Sequence, residues 1–93
     1  MTQTTHTFYS DMDGKVTMPR LSVEGIMADG KRAAQVVVQS PSREMVPMLK
    51  DLGYVLTVGF ANRYVKICTN PAEVDAARNP LRSLFDDKGN FSQ

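Results

Sequence analysis

The chain has 93 residues, of which 42% are hydrophobic and 23% are charged, and its formal net charge at pH 7 is +1. We expect one domain over residues 1–93, because this length supports a single hydrophobic core. The near-neutral charge excludes a polyanionic DNA mimic and argues against a strongly basic nucleic-acid-binding protein.

No stretch of the sequence approaches the roughly 18 consecutive apolar residues of a membrane span, so no membrane partner is expected. The first residues are polar and lack the charged-then-apolar pattern of a signal peptide. Cys68 is the only cysteine, which excludes an internal disulfide. A small domain without disulfides fits a reducing cytoplasm, which is the predicted compartment.

The N-terminal part predicts a first strand. Thr5–Ser10 alternates loosely between two faces, and residues 1–4 before it are expected to be frayed. Asp13-Gly14 then marks a turn into a short extended piece, Lys15–Met18. Pro19 ends that piece, because it has no N–H to donate to a strand ladder.

The strongest local signal is a β-hairpin over Arg20–Gln39 with its turn at Asp29-Gly30. A type I′ turn needs a positive φ at both central residues, which favours this dipeptide. One face then carries apolar side chains for a core, and the other face is mostly polar. The predicted register pairs Ala28 with Lys31, Ile26 with Ala33, Val23 with Val36, and Leu21 with Val38.

Two short helices are predicted, each opened by a proline. In the first, Ser40 is the expected N-cap, Pro41 takes the first helical position, and Gly53 is the natural end. Pro47 conflicts with a regular helix, because proline removes a backbone hydrogen bond. Either the helix is kinked at Pro47, or its first turn is irregular and the regular part begins near that residue.

In the second helix, Asn70 is the expected N-cap, with Pro71 at the first position and Glu73 placed for a capping box. Pro80 keeps this helix short, and Leu81–Phe85 is expected to add one further turn. Residues 86–93 are polar apart from one phenylalanine, and we expect them to be frayed.

Between the helices, Tyr54–Phe60 and Tyr64–Cys68 predict a second hairpin. A loop centred on Asn62-Arg63 is one solution, and a longer loop is equally compatible because Asn-Arg is a poor type I′ pair. The first solution pairs Phe60 with Val65 and Val58 with Ile67, and its core face holds Leu56, Val58, Phe60, Val65 and Ile67. The elements together predict an α+β fold: an antiparallel β-sheet built from two hairpins plus an N-terminal strand, with two short helices packed on one face.

The sequence offers little chemistry. One histidine and one cysteine cannot form a Cys/His metal site, and there is no glycine-rich phosphate loop. Asp11-x-Asp13-Gly14 matches only the start of a calcium loop, because the acidic ligands that should follow are missing. His6 and Cys68 belong to no catalytic motif. We therefore expect no enzyme activity, no metal, no cofactor and no small-molecule substrate.

Basic residues concentrate in the middle third of the chain. Residues 31–66 carry six basic and two acidic side chains, whereas residues 1–30 and 67–93 are each net negative. The two predicted hairpin ends therefore project cations, which are suited to contacts with a phosphate backbone. Tyr54 and Tyr64, if exposed on the second hairpin, would add stacking surfaces for bases.

Two segments, His6–Gly14 (HTFYSDMDG) and Pro19–Gln39 (PRLSVEGIMADGKRAAQVVVQ), carry a resemblance that extends over the whole chain. The chain resembles small phage-encoded anti-CRISPR proteins of the class that inhibits type I-F surveillance complexes. This class has no shared motif, so no family site residues can be transferred to positions of this sequence.

The resemblance implies stoichiometric inhibition in the cytoplasm of a bacterial host. The protein would dock on a multi-subunit Cas protein–crRNA complex and prevent target DNA from hybridising. Because a near-neutral charge disfavours mimicry of DNA, we expect it to wedge among protein subunits through its cationic hairpin ends, with contacts to crRNA phosphates. The predicted partner-binding residues are Lys31, Arg32, Asn62, Arg63 and Lys66, followed by Arg43 and Lys50.

Other functions stay open on the residues alone. The main alternative is a small nucleic-acid-binding accessory or regulatory protein of a phage or plasmid, whose affinity for bare nucleic acid would fall steeply with salt. A hydrolase or transferase would need His6, Cys68 or the carboxylates to converge in a pocket. An assembly protein would pair with itself through an exposed strand edge.

Overall fold

The computed structural model describes residues 5–10, 12–57 and 62–92. It contains one antiparallel sheet of four strands in the order β1-β2-β4-β3, with two short α-helices, so the predicted α+β class is confirmed. The elements are β1 (Arg20–Ala28), β2 (Lys31–Gln39), α1 (Met45–Asp51), β3 (Val55–Leu56), β4 (Arg63–Cys68), α2 (Pro71–Arg78) and a 3-10 helix (Asn79–Leu81).

The β1–β2 hairpin has the predicted register at every pair. Asp29 and Gly30 both have a positive φ, 53° and 75°, as a type I′ turn requires. Leu21, Val36 and Val38 point to one face and are buried there. The turn residues therefore decide which side chains enter the core.

Both helices pack on that same face of the sheet, which we call the helical face. The core cluster joins strand residues to residues from both helices and from the segment after them. Its buried members are Leu21, Val36, Val38, Met45, Leu49, Tyr54, Tyr64, Cys68, Ala77, Leu81 and Phe85. No helix in the described part of the chain is both long and apolar enough to cross a membrane.

Helix α1 starts later than the sequence predicts. Ser40 is not its N-cap, because Ser40 has a left-handed backbone (φ 53°) and its N–H donates to the Asn62 carbonyl at 2.7 Å. The N-cap is Glu44 instead. Pro47 is the third helical residue, a position whose N–H has no partner within the helix, so the proline costs no hydrogen bond. Of the two alternatives for Pro47, the one in which the regular helix begins near that residue is therefore correct.

The end of α1 is the predicted glycine cap. Gly53 has a φ of 91°, and its N–H donates to the Lys50 carbonyl at 3.1 Å. The Tyr54 N–H donates to the Leu49 carbonyl at 2.9 Å, which completes a Schellman motif. This motif reverses the chain so that Tyr54 enters the core.

Helix α2 has the predicted Asn70 N-cap, but Glu73 bonds to Thr69 and not to the Asn70 N–H that a capping box would use. The Asn70 side chain accepts a hydrogen bond from the Glu73 N–H at 2.9 Å, with Pro71 in the first turn. The Glu73 carboxylate reaches back to Thr69, accepting from its hydroxyl at 2.8 Å. These bonds to Thr69 hold the pKa of Glu73 below its ordinary value. The helix ends at Arg78, one residue before the short 3-10 helix that contains Pro80.

The N-terminal strand is a wrong prediction. Residues 5–10 join no sheet, and their only bridge is Ser10 with Val16. The segment is instead tied to the start of α1: the Arg43 N–H donates to the Thr7 carbonyl at 2.9 Å, and Glu44 accepts from the Thr7 N–H and hydroxyl. Alternation over six residues did not identify a strand here, because the backbone bond from Arg43 and the bonds to the Glu44 side chain give Thr7 the partners that a strand ladder would have provided.

The predicted register of the second hairpin is also wrong. Val55 pairs with Val65 and Leu56 pairs with Tyr64, so the connecting loop is the longer alternative. Tyr64 and Cys68 take the core positions of β4, whereas Ile67 is 55% exposed on the opposite face. The predicted core residues Val58 and Phe60 lie outside the described residues.

The C-terminal segment is anchored where the sequence predicts a frayed end. The Leu21 N–H donates to the Gly89 carbonyl at 2.8 Å, and Asn90 forms a bridge with Arg20. Phe91 packs edge-on against Phe85, which lies in the core. Residues 86–92 therefore cover the beginning of the outer edge of β1.

Gly89→Ala is expected to be much more destabilising than Gly14→Ala. Both glycines have a positive φ, 84° and 81°. A Cβ at Gly89 would lie 1.8 Å from the Leu21 carbonyl oxygen, whereas a Cβ at Gly14 meets no atom within 4 Å. Urea unfolding should give a loss of about 1–2 kcal/mol for Gly14→Ala, from backbone strain alone. For Gly89→Ala it should give about 3 kcal/mol or more, because the clash adds to the strain. Equal losses would contradict the anchoring of this segment.

Candidate functional site

The predicted contact residues fall at two opposite ends of β2. Lys31 and Arg32 lie just after the hairpin turn, at the beginning of this nine-residue strand. Arg63 pairs with Gln39 at its other end, and Asn62 precedes Arg63. Eight steps along a strand span roughly 27 Å. The structure therefore does not bring these residues together into one site.

Arg63 stabilises the sheet on the face away from the helices. Its guanidinium forms an ion pair with Glu24 at 2.8 Å, and the Gln35 amide donates to the same carboxylate oxygen at 2.8 Å. The register places Val37 between Arg63 and Glu24 on this face, and Val37 is only 1% exposed. This pair accounts for Arg63 without an external partner.

Lys66 lies on the helical face and stabilises the end of α1. It pairs with Val36 across the sheet, and its Nζ donates to the Leu52 carbonyl at 2.6 Å. A cation at the end of a helix interacts favourably with the carbonyls there. Lys66 is therefore engaged within the fold.

Asn62, Arg43 and Lys50 lie away from the hairpin turn. Asn62 has a φ of 57° and accepts from the Ser40 N–H, so it joins the end of β2 to the start of β4. Arg43 precedes α1 and Lys50 lies in its last turn, and both are exposed. Neither of these two cations has a side-chain partner among the described residues.

The tyrosines and the cysteine belong to the core, so the condition of exposure for base stacking by Tyr54 and Tyr64 is not met. The Tyr54 hydroxyl donates to the Ala77 carbonyl at 3.0 Å, and burial raises its pKa above the ordinary value. Burial also raises the pKa of the Cys68 thiol, which disfavours the thiolate. His6 lies 2.7 Å from the Ser42 hydroxyl, measured from Nδ1, and packs against Phe91.

The end of the β1–β2 hairpin is the candidate functional site. Lys31 and Arg32 are exposed there, and neither side chain has a hydrogen-bond or ion-pair partner within residues 5–10, 12–57 and 62–92. Met27 and Val23, on the helical face of the neighbouring strand, are 66% and 43% exposed. Val23 was a predicted core residue, but the helices do not cover this part of the sheet.

A hollow of about 300 Å³ adjoins this hairpin end on the helical face, between β2 and the start of α2. Arg32 and Asp75 give it charged groups of both signs, while its other walls are largely apolar. The remaining lining residues are Ala33, Ala34, Asn70, Pro71 and Val74. The hairpin end thus combines free cations, exposed apolar side chains and a concave surface.

The backbone of β1 is also available here. Pairs in an antiparallel ladder alternate between hydrogen-bonded and non-bonded, and Ala28–Lys31 next to the turn is a bonded pair. The backbone N–H and C=O groups of the even-numbered residues of β1 therefore point toward β2, and those of the odd-numbered residues point outward. The bond from the Leu21 N–H to the Gly89 carbonyl confirms this parity. At Val23, Gly25 and Met27 the outward N–H and C=O groups have no partner in the described part of the chain.

Comparison with known proteins finds no matching family model, no matching curated protein and no matching solved structure. The site therefore has to be interpreted from its own geometry.

Lys66→Met is expected to lower the free energy of unfolding by about 1–3 kcal/mol, because it leaves the Leu52 carbonyl without its charged donor. Lys31→Met is the matched control and should change that free energy by less than about 0.5 kcal/mol, because Lys31 is exposed at a turn. Chemical denaturation of both variants measures the difference. A stable Lys66→Met variant would mean that Lys66 is free for a partner.

Proposed function

We propose that this protein is a stoichiometric inhibitor of the anti-CRISPR kind, which binds a type I-F Cas protein–crRNA complex in the cytoplasm of a bacterial host and blocks hybridisation of target DNA. Two lines of argument support the proposal. The longer of the two segments that carry the sequence resemblance, Pro19–Gln39, is also the segment that forms the β1–β2 hairpin. The end of that hairpin carries two exposed cations and strand-edge backbone groups that have no partner among the described residues.

The observation that carries the proposal is the pair of free cations beside exposed apolar side chains. Lys31 and Arg32 stand next to Met27 and the adjoining hollow, at the end of a hairpin whose register is fixed by its turn. Apolar groups that become buried supply binding energy, and charges around them supply specificity and a faster encounter. Such a surface suits a protein subunit with acidic groups, or a subunit boundary where crRNA phosphates are accessible.

The test is co-purification of the tagged protein with a reconstituted type I-F complex, together with a mobility-shift assay for double-stranded target DNA. The wild-type protein should co-elute with the complex and abolish the target shift. Lys31→Glu/Arg32→Glu should weaken both effects by at least about tenfold, because two reversed charges at an interface oppose a complementary partner.

Arg43→Glu/Lys50→Glu is the matched comparison, since it makes the same change in net charge next to and within α1. An equal loss in both double variants would assign the effect to overall charge rather than to the hairpin end. Failure of the wild-type protein to co-elute or to alter target binding would overturn the proposal. Salt-sensitive binding to free DNA or RNA would then favour the nucleic-acid-binding alternative.

A further inference from the structure

We propose that the free edge of β1, from Val23 to Met27, binds an extended acidic segment of a partner protein, which joins the sheet as a fifth strand. The inference rests on the proposed function in one respect, that the partner is a protein. It adds the way in which that partner is recognised. Strand addition supplies affinity through main-chain hydrogen bonds and selectivity through alternate side chains.

Within residues 5–10, 12–57 and 62–92, the outer edge of β1 lacks the usual protections against a further strand. Natural sheets protect their edges with short strands, proline, outward lysines or covering segments. β1 has nine residues, and between Val23 and Met27 it contains no proline and no lysine. The C-terminal segment covers only its beginning, at Arg20 and Leu21. By contrast, the opposite edge strand β3 has two residues.

The one charge within this edge is already neutralised. Glu24 forms its ion pair with Arg63 on the face away from the helices. Gly25, at the centre of the edge, has no side chain, and a Cβ there would meet no atom within 4 Å, so a side chain of an incoming strand has room on the helical face beside it. Val23 and Met27 are exposed on the helical face, and they favour apolar residues at alternate positions of an incoming strand.

Positive charge at both ends of the edge indicates that the incoming segment is negatively charged. Before Val23, a hollow of about 280 Å³ is lined by Arg20, Arg78 and Lys88, with Asp87 as its only acidic group. None of these three cations has an ion-pair partner in the described part of the chain. After Met27, Lys31 and Arg32 outnumber Asp29. An acidic residue near each end of an extended segment is therefore complementary to this surface.

The same charges argue against a second copy of the chain as the occupant. Antiparallel pairing of two β1 edges about Gly25 would place residue 21 of one copy opposite residue 29 of the other. The positive hairpin end of each copy would then lie beside the positive hollow of its neighbour, which costs free energy. An RNA strand would complement the positive charge, but it has no backbone N–H groups to pair with the free carbonyls of the strand edge. An extended polypeptide has both the donors and the acceptors that this edge requires.

A fluorescence-anisotropy titration with synthetic peptides tests the inference. The probe is a nine-residue acetylated peptide that alternates valine and threonine and carries two aspartates at each end. The control peptide has lysines in place of the aspartates. The acidic peptide should bind at least about ten times more tightly than the control, and its affinity should fall as salt is raised.

Three variants make the test specific to the edge. Gly25→Pro removes only an outward N–H from β1, so the β1–β2 ladder is kept while the incoming strand loses a donor. Met27→Glu replaces an exposed apolar side chain of the edge with a negative charge that repels the acidic peptide, and it covers the case in which the proline variant misfolds. Each should weaken peptide binding by at least about tenfold. Met12→Glu makes the same change at an exposed methionine outside β1 and should leave peptide binding unchanged.

Several outcomes would overturn the inference. These are equal binding of the two peptides, no binding of either, and full binding by both edge variants. If a short single-stranded RNA competed with the acidic peptide and bound more tightly than it, the positive residues would be a nucleic-acid-binding surface. A wild-type dimer in sedimentation analysis that Gly25→Pro dissociates would identify a second copy as the occupant.

The failure of this inference is distinguishable from the failure of the proposed function. If Gly25→Pro and Met27→Glu still co-elute with the type I-F complex and still block target DNA, the partner does not use the edge and the inhibitor function stands. If the wild-type protein does not co-elute but the acidic peptide binds, the edge is a peptide site and the proposed partner is wrong.

Discussion

The two-residue turn at Asp29-Gly30 is the constraint on which the rest of the molecule depends. Both residues take a positive φ, which pairs Ala28 with Lys31 and fixes every pair in the hairpin. A slip by one residue would place the core side chains of one strand on the opposite face from those of the other. The same pairing decides which backbone groups of β1 bond to β2 and which point outward. The turn therefore determines both the core face and the free edge.

Burial then divides the hairpin into a covered and an uncovered part. The helices pack over the half of the sheet near Leu21 and Val38, where the chain also returns through Gly89 to bond β1. Beyond that half the hairpin carries exposed Val23 and Met27 toward its turn. The helical face thus provides stability at one end and an available surface at the other. Two middle-third cations outside the turn, Arg63 and Lys66, form bonds that stabilise the fold.

Local physics allowed part of this structure to be predicted from the sequence. The hairpin register, the Asn70 cap and the glycine end of α1 follow from residues within a few positions of one another. The errors concern choices made over longer distances. Alternation assigned Ile67 to the core, but it is exposed, and Tyr64 on the opposite face of β4 packs in the core with the helices. The structural roles of Arg63 and Lys66 depend on partners 39 and 14 residues away.

The most direct test of the central claim, that the free hairpin edge is the binding surface, is hydrogen–deuterium exchange of the whole protein alone and in complex with the reconstituted type I-F assembly. The amides of Val23, Gly25 and Met27 face outward without partners in the described part of the chain, so they should exchange rapidly in the free protein. In the complex the exchange of these three amides should slow. The exchange of the Ser22 and Glu24 amides should change little, because these amides are already bonded to β2. Unchanged exchange over residues 20–32, with protection appearing elsewhere in the chain, would contradict the account.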